Sequence, residues 1–347
     1  MSRLLFLLLV QSFCLNAFAQ DSTDGKLDLS GYAEAYYQYD FGRPPSGERS
    51  AFLYNHKRHN EMNINLAYLK AAYSSKKIRG NIALMTGNYP QYNLAAEPQL
   101  MQQVLELNIG YSFSDKWSMD LGILPSHIGM ESAVSKDCWT LSRSLVAENS
   151  PYYETGLKLN FSPDERWSLA LLLLNGWQNI RETNSAKAWG TQVQFRPNKK
   201  WVINSSSFIG NEQADSVSAQ MRFFHDLFIT RQLSGKLNIA VLFDIGTEKS
   251  NTWYGSAILL QYQFQPKWKI GFRAEQYKDR QGVILGSSLP VGVGLSGASL
   301  NTDFSPLKKI MFRAEARYLH ADRSIFLQDG TPAKNNLSMM GSVAISF

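Results

Sequence analysis

The tetrad Phe-Arg-Ala-Glu occurs twice, at residues 272–275 and 312–315. Around it, Lys269, Arg273 and Glu275 are spaced by multiples of two in one run, and Arg313, Glu315 and Arg317 in another. Spacing by two puts such residues on one face of a β-strand. Cations and carboxylates on one wall can set the potential of a water-filled passage. They can equally pair and cross-link strands. Both readings stand, and they are compatible. Glu106, Asp120, Glu154 and Lys158 fall on the polar face of other runs. The expectation is that these ten residues line a pore.

A second group sits in the longest connection, 125–150, where His127, Glu131, Lys136, Asp137, Arg143 and Glu148 lie among apolar residues. One reading folds this loop into the lumen as a constriction; the other leaves it on the surface. His56 and His59 have no third ligand nearby, so no metal site is assigned. None of the five histidines sits in a nucleophile motif, and no Gly-rich phosphate loop or Cys-x-x-Cys appears. Catalysis is not expected, and transport needs no cofactor.

Residues 1–19 read as an export signal: Arg3, an apolar run from Leu4 to Val10, then Ala17-Phe18-Ala19 before Gln20. Residues 20–347 form the expected single domain. Cys14 would leave with the signal, so Cys138 stands alone and no disulfide framework exists. The formal charge of +6 becomes +5 without Arg3, too mild a basic excess for a nucleic-acid partner. After the signal no apolar run approaches the roughly 18 residues of a membrane helix. A membrane-spanning form of this chain must therefore be a closed barrel.

These chemical residues need strands to hold them. Leu105, Leu107, Ile109, Tyr111 and Phe113 oppose Glu106, Asn108, Gly110 and Ser112. Similar alternation marks sixteen runs, from 27–41 to 335–347. The 215–231 and 288–304 runs alternate poorly, so 14 or 18 strands stay open. The unit Phe161-Ser-Pro-Asp-Glu-Arg-Trp167 recurs as Phe113–Trp117, Phe195–Trp201 and Phe264–Trp268, and as Phe304–Ile310 without its Trp. Pro, Asp and Asn make each a tight turn, which sets the aromatics at one level, as at a membrane interface. These turns alternate with longer connections, including 42–58, 125–150 and 247–252. Short periplasmic turns and long external loops are the pattern of outer-membrane barrels. A soluble sandwich would also alternate, but its polar face would not carry Gly, Asn and charges down nearly every strand.

The motifs Leu121-Gly-Ile-Leu-Pro-Ser-His-Ile-Gly129, Leu141-Ser-Arg-Ser144, Pro151-Tyr-Tyr-Glu-Thr-Gly156 and Leu174-Asn-Gly-Trp177 resemble, in this order, elements of the OmpL-like β-barrel porin family of Gram-negative outer membranes. The likeness weakens after about residue 180. It implies a channel and brings no catalytic residues. The terminal Phe347 looks like the assembly signal read by the barrel-assembly machinery. The expected protein is an outer-membrane barrel of about sixteen strands, passing small hydrophilic solutes with a weak preference for anions. Its expected surroundings are outer-membrane lipid, with a homo-oligomer left open. A non-conducting structural or adhesive barrel and, further off, a barrel enzyme are the alternatives.

Overall fold

Backbone polar groups in lipid need partners, and a sheet edge would leave a row of them bare. This sheet has no edge. The computed structural model describes residues 25–347 except 288, 290 and 291. The expected signal at 1–19 and its cleavage before Gln20 lie outside the described residues. Sixteen antiparallel strands close into a barrel, each paired with its chain neighbours. They are β1 (Gly25–Asp40), β2 (Met62–Ser75), β3 (Ile78–Thr86), β4 (Val104–Ser112), β5 (Trp117–Pro125), β6 (Tyr153–Phe161), β7 (Trp167–Leu174), β8 (Ala188–Phe195), β9 (Trp201–Asn211), β10 (Met221–Gln232), β11 (Leu237–Glu248), β12 (Asn251–Gln265), β13 (Trp268–Asp279), β14 (Val293–Leu307), β15 (Ile310–Ala321) and β18 (Asn335–Ser346). A small hairpin, β16 (Phe326–Gln328) and β17 (Thr331–Ala333), decorates the last loop. The seam joins β1 to β18, with Tyr32 opposite Ser346. Phe347 extends it by exchanging both backbone hydrogen bonds with Gly31.

Alternation is inverted relative to a soluble sheet. On β15, Phe312 and Tyr318 are 47% and 46% exposed on the outer wall, while Arg313 and Arg317 are 3% and 1% exposed inside. The repeated turns build one aromatic level. Trp117 stacks on Phe161 at 4.3 Å, Trp167 on Phe195 at 4.2 Å and Trp268 on Phe304 at 4.5 Å. Each pair is also a cross-strand register pair. This is the short-turn end of the barrel.

The other end carries the long loops, with one exception. The expected longer connection at 247–252 is a tight turn, because β11 runs to Glu248 and β12 starts at Asn251. Lys249 takes φ 55° there, the left-handed conformation such a reversal needs. Inside the long-loop half the barrel is not hollow. Phe52 and Leu53 of the first loop, Leu145 and Val146 of the 126–152 segment, Leu285 and Phe326 pack with wall residues such as Phe224, Trp253 and Leu295 into one apolar cluster.

Candidate functional site

Residues 126–152 leave β5, cross the barrel interior and rejoin the wall at β6. We term this segment the strap. It holds a single helical turn, α1 (Leu145–Glu148), whose Ser144 cap accepts from the Ala147 amide at 3.3 Å. Residues 141–150 are buried without exception. A buried loop must place its backbone polar groups on something, and here the wall's charged side chains serve.

The first anchor is His127. Its Nδ1 lies 2.8 Å from both Glu154 carboxylate oxygens, and its Nε2 lies 2.9 Å from the Ser207 carbonyl. Both partners only accept, so the doubly protonated imidazolium fits the site. The His127 carbonyl accepts from Gln192 and the Ser206 hydroxyl at 2.9 and 2.7 Å. Gly190 makes room, since a Cβ there would lie 2.8 Å from the His127 ring.

The second anchor is the ladder of the repeated tetrad. Arg273 donates to Thr140 Oγ1 and the Ser142 carbonyl, both at 2.7 Å, and to Ser142 Oγ at 2.9 Å. Glu315 accepts from the Ser142 amide and hydroxyl at 2.6 Å. Glu275 accepts from the Leu145 amide at 2.6 Å and pairs with Arg317 at 2.7 Å. Arg313 pairs with Asp303 at 2.7 Å and donates to the carbonyls of Ser135 and, at 3.1 Å, Cys138. Asn301 accepts from the Leu141 amide at 3.1 Å. Gly271 lets the strap lie against the wall: a Cβ would come 2.4 Å from the Trp139 carbonyl oxygen.

The strap also braces itself. Arg143, wholly buried, donates to the carbonyls of Ser132, Leu141 and Ala133 at 2.5, 2.7 and 2.7 Å. Glu131 accepts from the Ser144 amide and hydroxyl. Burial raises the Glu131 pKa, although Arg273, Ser144 and Arg143 pull it back. At the far end Glu148 accepts from the Tyr54 amide at 2.8 Å, tying the strap to the first loop. That loop has its own clip, His56 against Glu34 at 3.3 Å.

The expected pore-lining residues thus divide. Arg273, Glu275, Arg313, Glu315 and Arg317 face inward but lie under the strap, at most 6% exposed. Arg273, Arg313, Glu275 and Glu315 hydrogen-bond the strap directly, while Arg317 is held by Glu275. Glu154 is buried with His127. On the opposite wall Glu106 pairs with Lys70 and Asp120 with Arg79, each at 2.7 Å and partly exposed. Lys158 and Lys269 are half-buried. In the strap, Lys136 and Asp137 pair with each other at 2.8 Å, and both are partly exposed. Asp303, Asn301, Ser142 and the two glycines escaped the sequence reading. Asp303 and Asn301 belong to the poorly alternating 288–304 run. Ser142 sat in the quoted Leu141-Ser-Arg-Ser144 motif without a role.

Two cavities flank the strap's last residues. One, of about 640 Å³, opens among the long loops and is lined by Tyr92, Trp177 and Glu148–Ser150. The other, of about 240 Å³, is lined by Tyr89, Glu106 and Pro151–Tyr153. Tyr89 and Tyr152, both lining the smaller cavity, stand edge to face, centroids 5.7 Å apart.

The same barrel occurs in solved structures of low sequence identity. OmpT of Vibrio cholerae is similar at 9% identity and TM-score 0.61, covering 94% of this chain and 99% of that one. An anion-selective porin from Comamonas acidovorans matches at 8% identity and TM-score 0.62, over 93% of this chain and 100% of that one. OmpF of Salmonella typhi, in complex with daunomycin, matches at 11% identity and TM-score 0.62, over 93% and 98%. At such identities the likeness speaks for the fold alone. No curated protein matches by sequence. The family described as "Putative beta-barrel porin-2, OmpL-like" matches residues 26–347, nearly the whole described chain, and the chain belongs to it.

Proposed function

We propose that this chain is an outer-membrane channel for passive diffusion of small hydrophilic solutes, not an enzyme, with its long loops outward and its short turns toward the periplasm. The observation that carries the reading is the pair of cavities on either side of residues 148–153. Solutes enter among the loops, pass the Tyr89–Tyr152 contact, and leave along the β2–β6 wall past Glu106, Lys70, Arg79 and Asp120. The strap narrows this path to one side of the barrel. Selectivity is weak, because the wall charges are matched at close range: Arg273 and Arg317 by Glu275 and Glu315, Arg313 by Asp303. Lys158 and Lys269 supply the residual anion preference. Phe347, at the seam, serves as the signal for the assembly machinery.

Single-channel recording in a planar bilayer tests this. The wild type is expected to give discrete steps, and Tyr152→Ala larger ones. A conducting wild type with an unchanged Tyr152→Ala places the path elsewhere. Absence of steps in both favours the second reading, a closed structural barrel, for which the apolar cluster in the long-loop half speaks.

A further inference from the structure

Above the strap, the loops enclose the larger cavity, of about 640 Å³. It lies in the size range of small-molecule sites. We propose that it binds a neutral saccharide. The inference goes beyond the channel reading and does not require the chain to conduct.

Aromatic rings form its sides. Tyr54, Tyr92 and Trp177 come from three different loops, and all line the cavity half-buried, with part of each ring open. They are positioned before any ligand arrives. The Trp177 ring is held edge-on by Phe208 at 5.0 Å and Phe224 at 4.8 Å. The Tyr92 hydroxyl is tied to Glu48 at 2.8 Å. Fixed aromatic surfaces take a flat apolar face at low entropic cost, and the C–H face of a sugar ring is such a surface.

The floor asks for hydrogen-bond donors. Glu148 and Asn149 line the cavity, and their Oε1 and Oδ1 atoms are buried with no hydrogen-bond partner. The other oxygen of Glu148 is held by the Tyr54 amide, and the Asn149 amide donates to the Leu145 carbonyl at 2.8 Å. Both residues are thus fixed, each with one acceptor unmet. A buried acceptor without a partner is costly and calls for a water or a ligand donor. Both atoms are enclosed in this structure, so a ligand hydroxyl would satisfy them once the side chains turn toward the cavity.

Charge excludes the other classes. Arg222 lines the cavity, but Glu248 neutralises it at 2.8 Å and its guanidinium lies 5.3 Å from the Trp177 ring centre. No other cation is among the described residues that line the cavity, and a phosphate or carboxylate would face Glu148. A wholly apolar ligand would leave the two acceptors unmet. A ring with an apolar face and a hydroxylated rim meets every wall.

The test is a titration of the purified protein in a zwitterionic detergent, free of sugar head groups, with maltotriose. Binding is read by tryptophan fluorescence and calorimetry. Saturation is expected near about 1 mM, the range of a shallow preformed site. Tyr92→Ala is expected to weaken binding about three- to tenfold, the value of one aromatic contact. Trp177→Leu gives an independent second reading, with unboiled gel migration reporting the fold of both variants. Sorbitol, which has hydroxyls but no ring face, and glucose 6-phosphate, which is charged, are expected to bind more weakly. The proposal is overturned if maltotriose does not saturate the wild type. It is equally overturned if both variants bind as the wild type does, or if sorbitol or the phosphorylated sugar binds as well as maltotriose.

Discussion

Arg273→Ala is the most direct probe of how the strap is held. The guanidinium is fully buried and makes three hydrogen bonds to Thr140 and Ser142, of 2.7, 2.7 and 2.9 Å. It also lies 3.2 Å from both Glu275 and Glu315. Removing one partner of a buried ion pair costs about 3–5 kcal/mol, mostly because charge is left uncompensated. Here both carboxylates keep other partners. Glu275 retains Arg317, and Glu315 retains the Ser142 amide and hydroxyl. The lower bound of about 3 kcal/mol therefore applies. At 1.4 kcal/mol per decade, strap release should become about a hundredfold more frequent.

Cys138 offers a built-in reporter. It sits in the strap at 4% exposure, its thiol bonded to Ser132, and it is the one cysteine among the described residues. With Cys14 removed, a membrane-impermeant maleimide should label Cys138 slowly in the wild type and about a hundredfold faster in Arg273→Ala, as for any site exposed by local opening. Arg166→Ala, which breaks an exposed pair at a turn, should change nothing. A double-mutant cycle with Ser142→Ala should return a large coupling. Equal labelling of wild type and Arg273→Ala would refute the clamp, and the ladder would be cross-linking strands only.

Other outcomes follow from the same geometry. Gly271→Val should displace the strap, since the carbonyl of Trp139 cannot retreat without moving backbone, and should raise the Cys138 labelling rate more than Gly341→Val on β18. Burial works against a charged His127, but Glu154 at 2.8 Å and the Ser207 carbonyl outweigh it and the pKa is raised. Its clip is fully present below the ordinary histidine value of about 6.5 and fades as pH climbs through the raised value. Mean bilayer current should therefore rise toward alkaline pH, with Lys158 and Asp226 also facing the ring, and this rise should vanish in His127→Gln. Trp268→Ala removes a stack on Phe304 and should lower resistance to heat in detergent by about 1–3 kcal/mol, read as loss of anomalous gel migration. Replacing Lys158 and Lys269 together with Gln should shift the reversal potential in a salt gradient more than Arg273→Ser with Arg313→Ser does, because the strap covers the two arginines.

Strands, parity and the aromatic level were legible because they are local. Period-two alternation sets which face a residue takes, and Phe-turn-Trp units fix the strand ends. Lumen-facing parity was readable for Arg273, Glu315 and Arg317 for the same reason. Their partners were not readable. Ser142 meets Glu315 across 173 residues, and no sequence period links a strap to the wall it crosses. Asp303 was hidden differently. The outer face of β14 carries Gly294, Ser296, Ala298 and Thr302, so the apolar side that reveals parity is faint. The turn at 249–250 read as a loop because Glu248, Lys249 and Ser250 are polar, although a left-handed Lys249 suffices to reverse the chain.

The width of the barrel explains why wall charges and solvent need not meet. Eight strands can fill their own interior with side chains; sixteen cannot. Something must occupy the remaining space, and either water or chain can do it. In this protein the strap, the first loop and the loops after β13 and β15 bring Leu145, Phe52, Leu285 and Phe326 inward, where they pack as a core. A backbone drawn into that space carries amides and carbonyls that lose their water. Inward charged residues supply the missing partners: Glu275 and Glu315 take strap N–H groups, and Arg273 and Arg313 take strap carbonyls. The same charged ladder that would polarise an open pore is therefore what permits the lumen to be filled. Whether such a ladder faces solute or chain is decided by the loop above it, and Gly190 and Gly271 are where the wall yields to that loop.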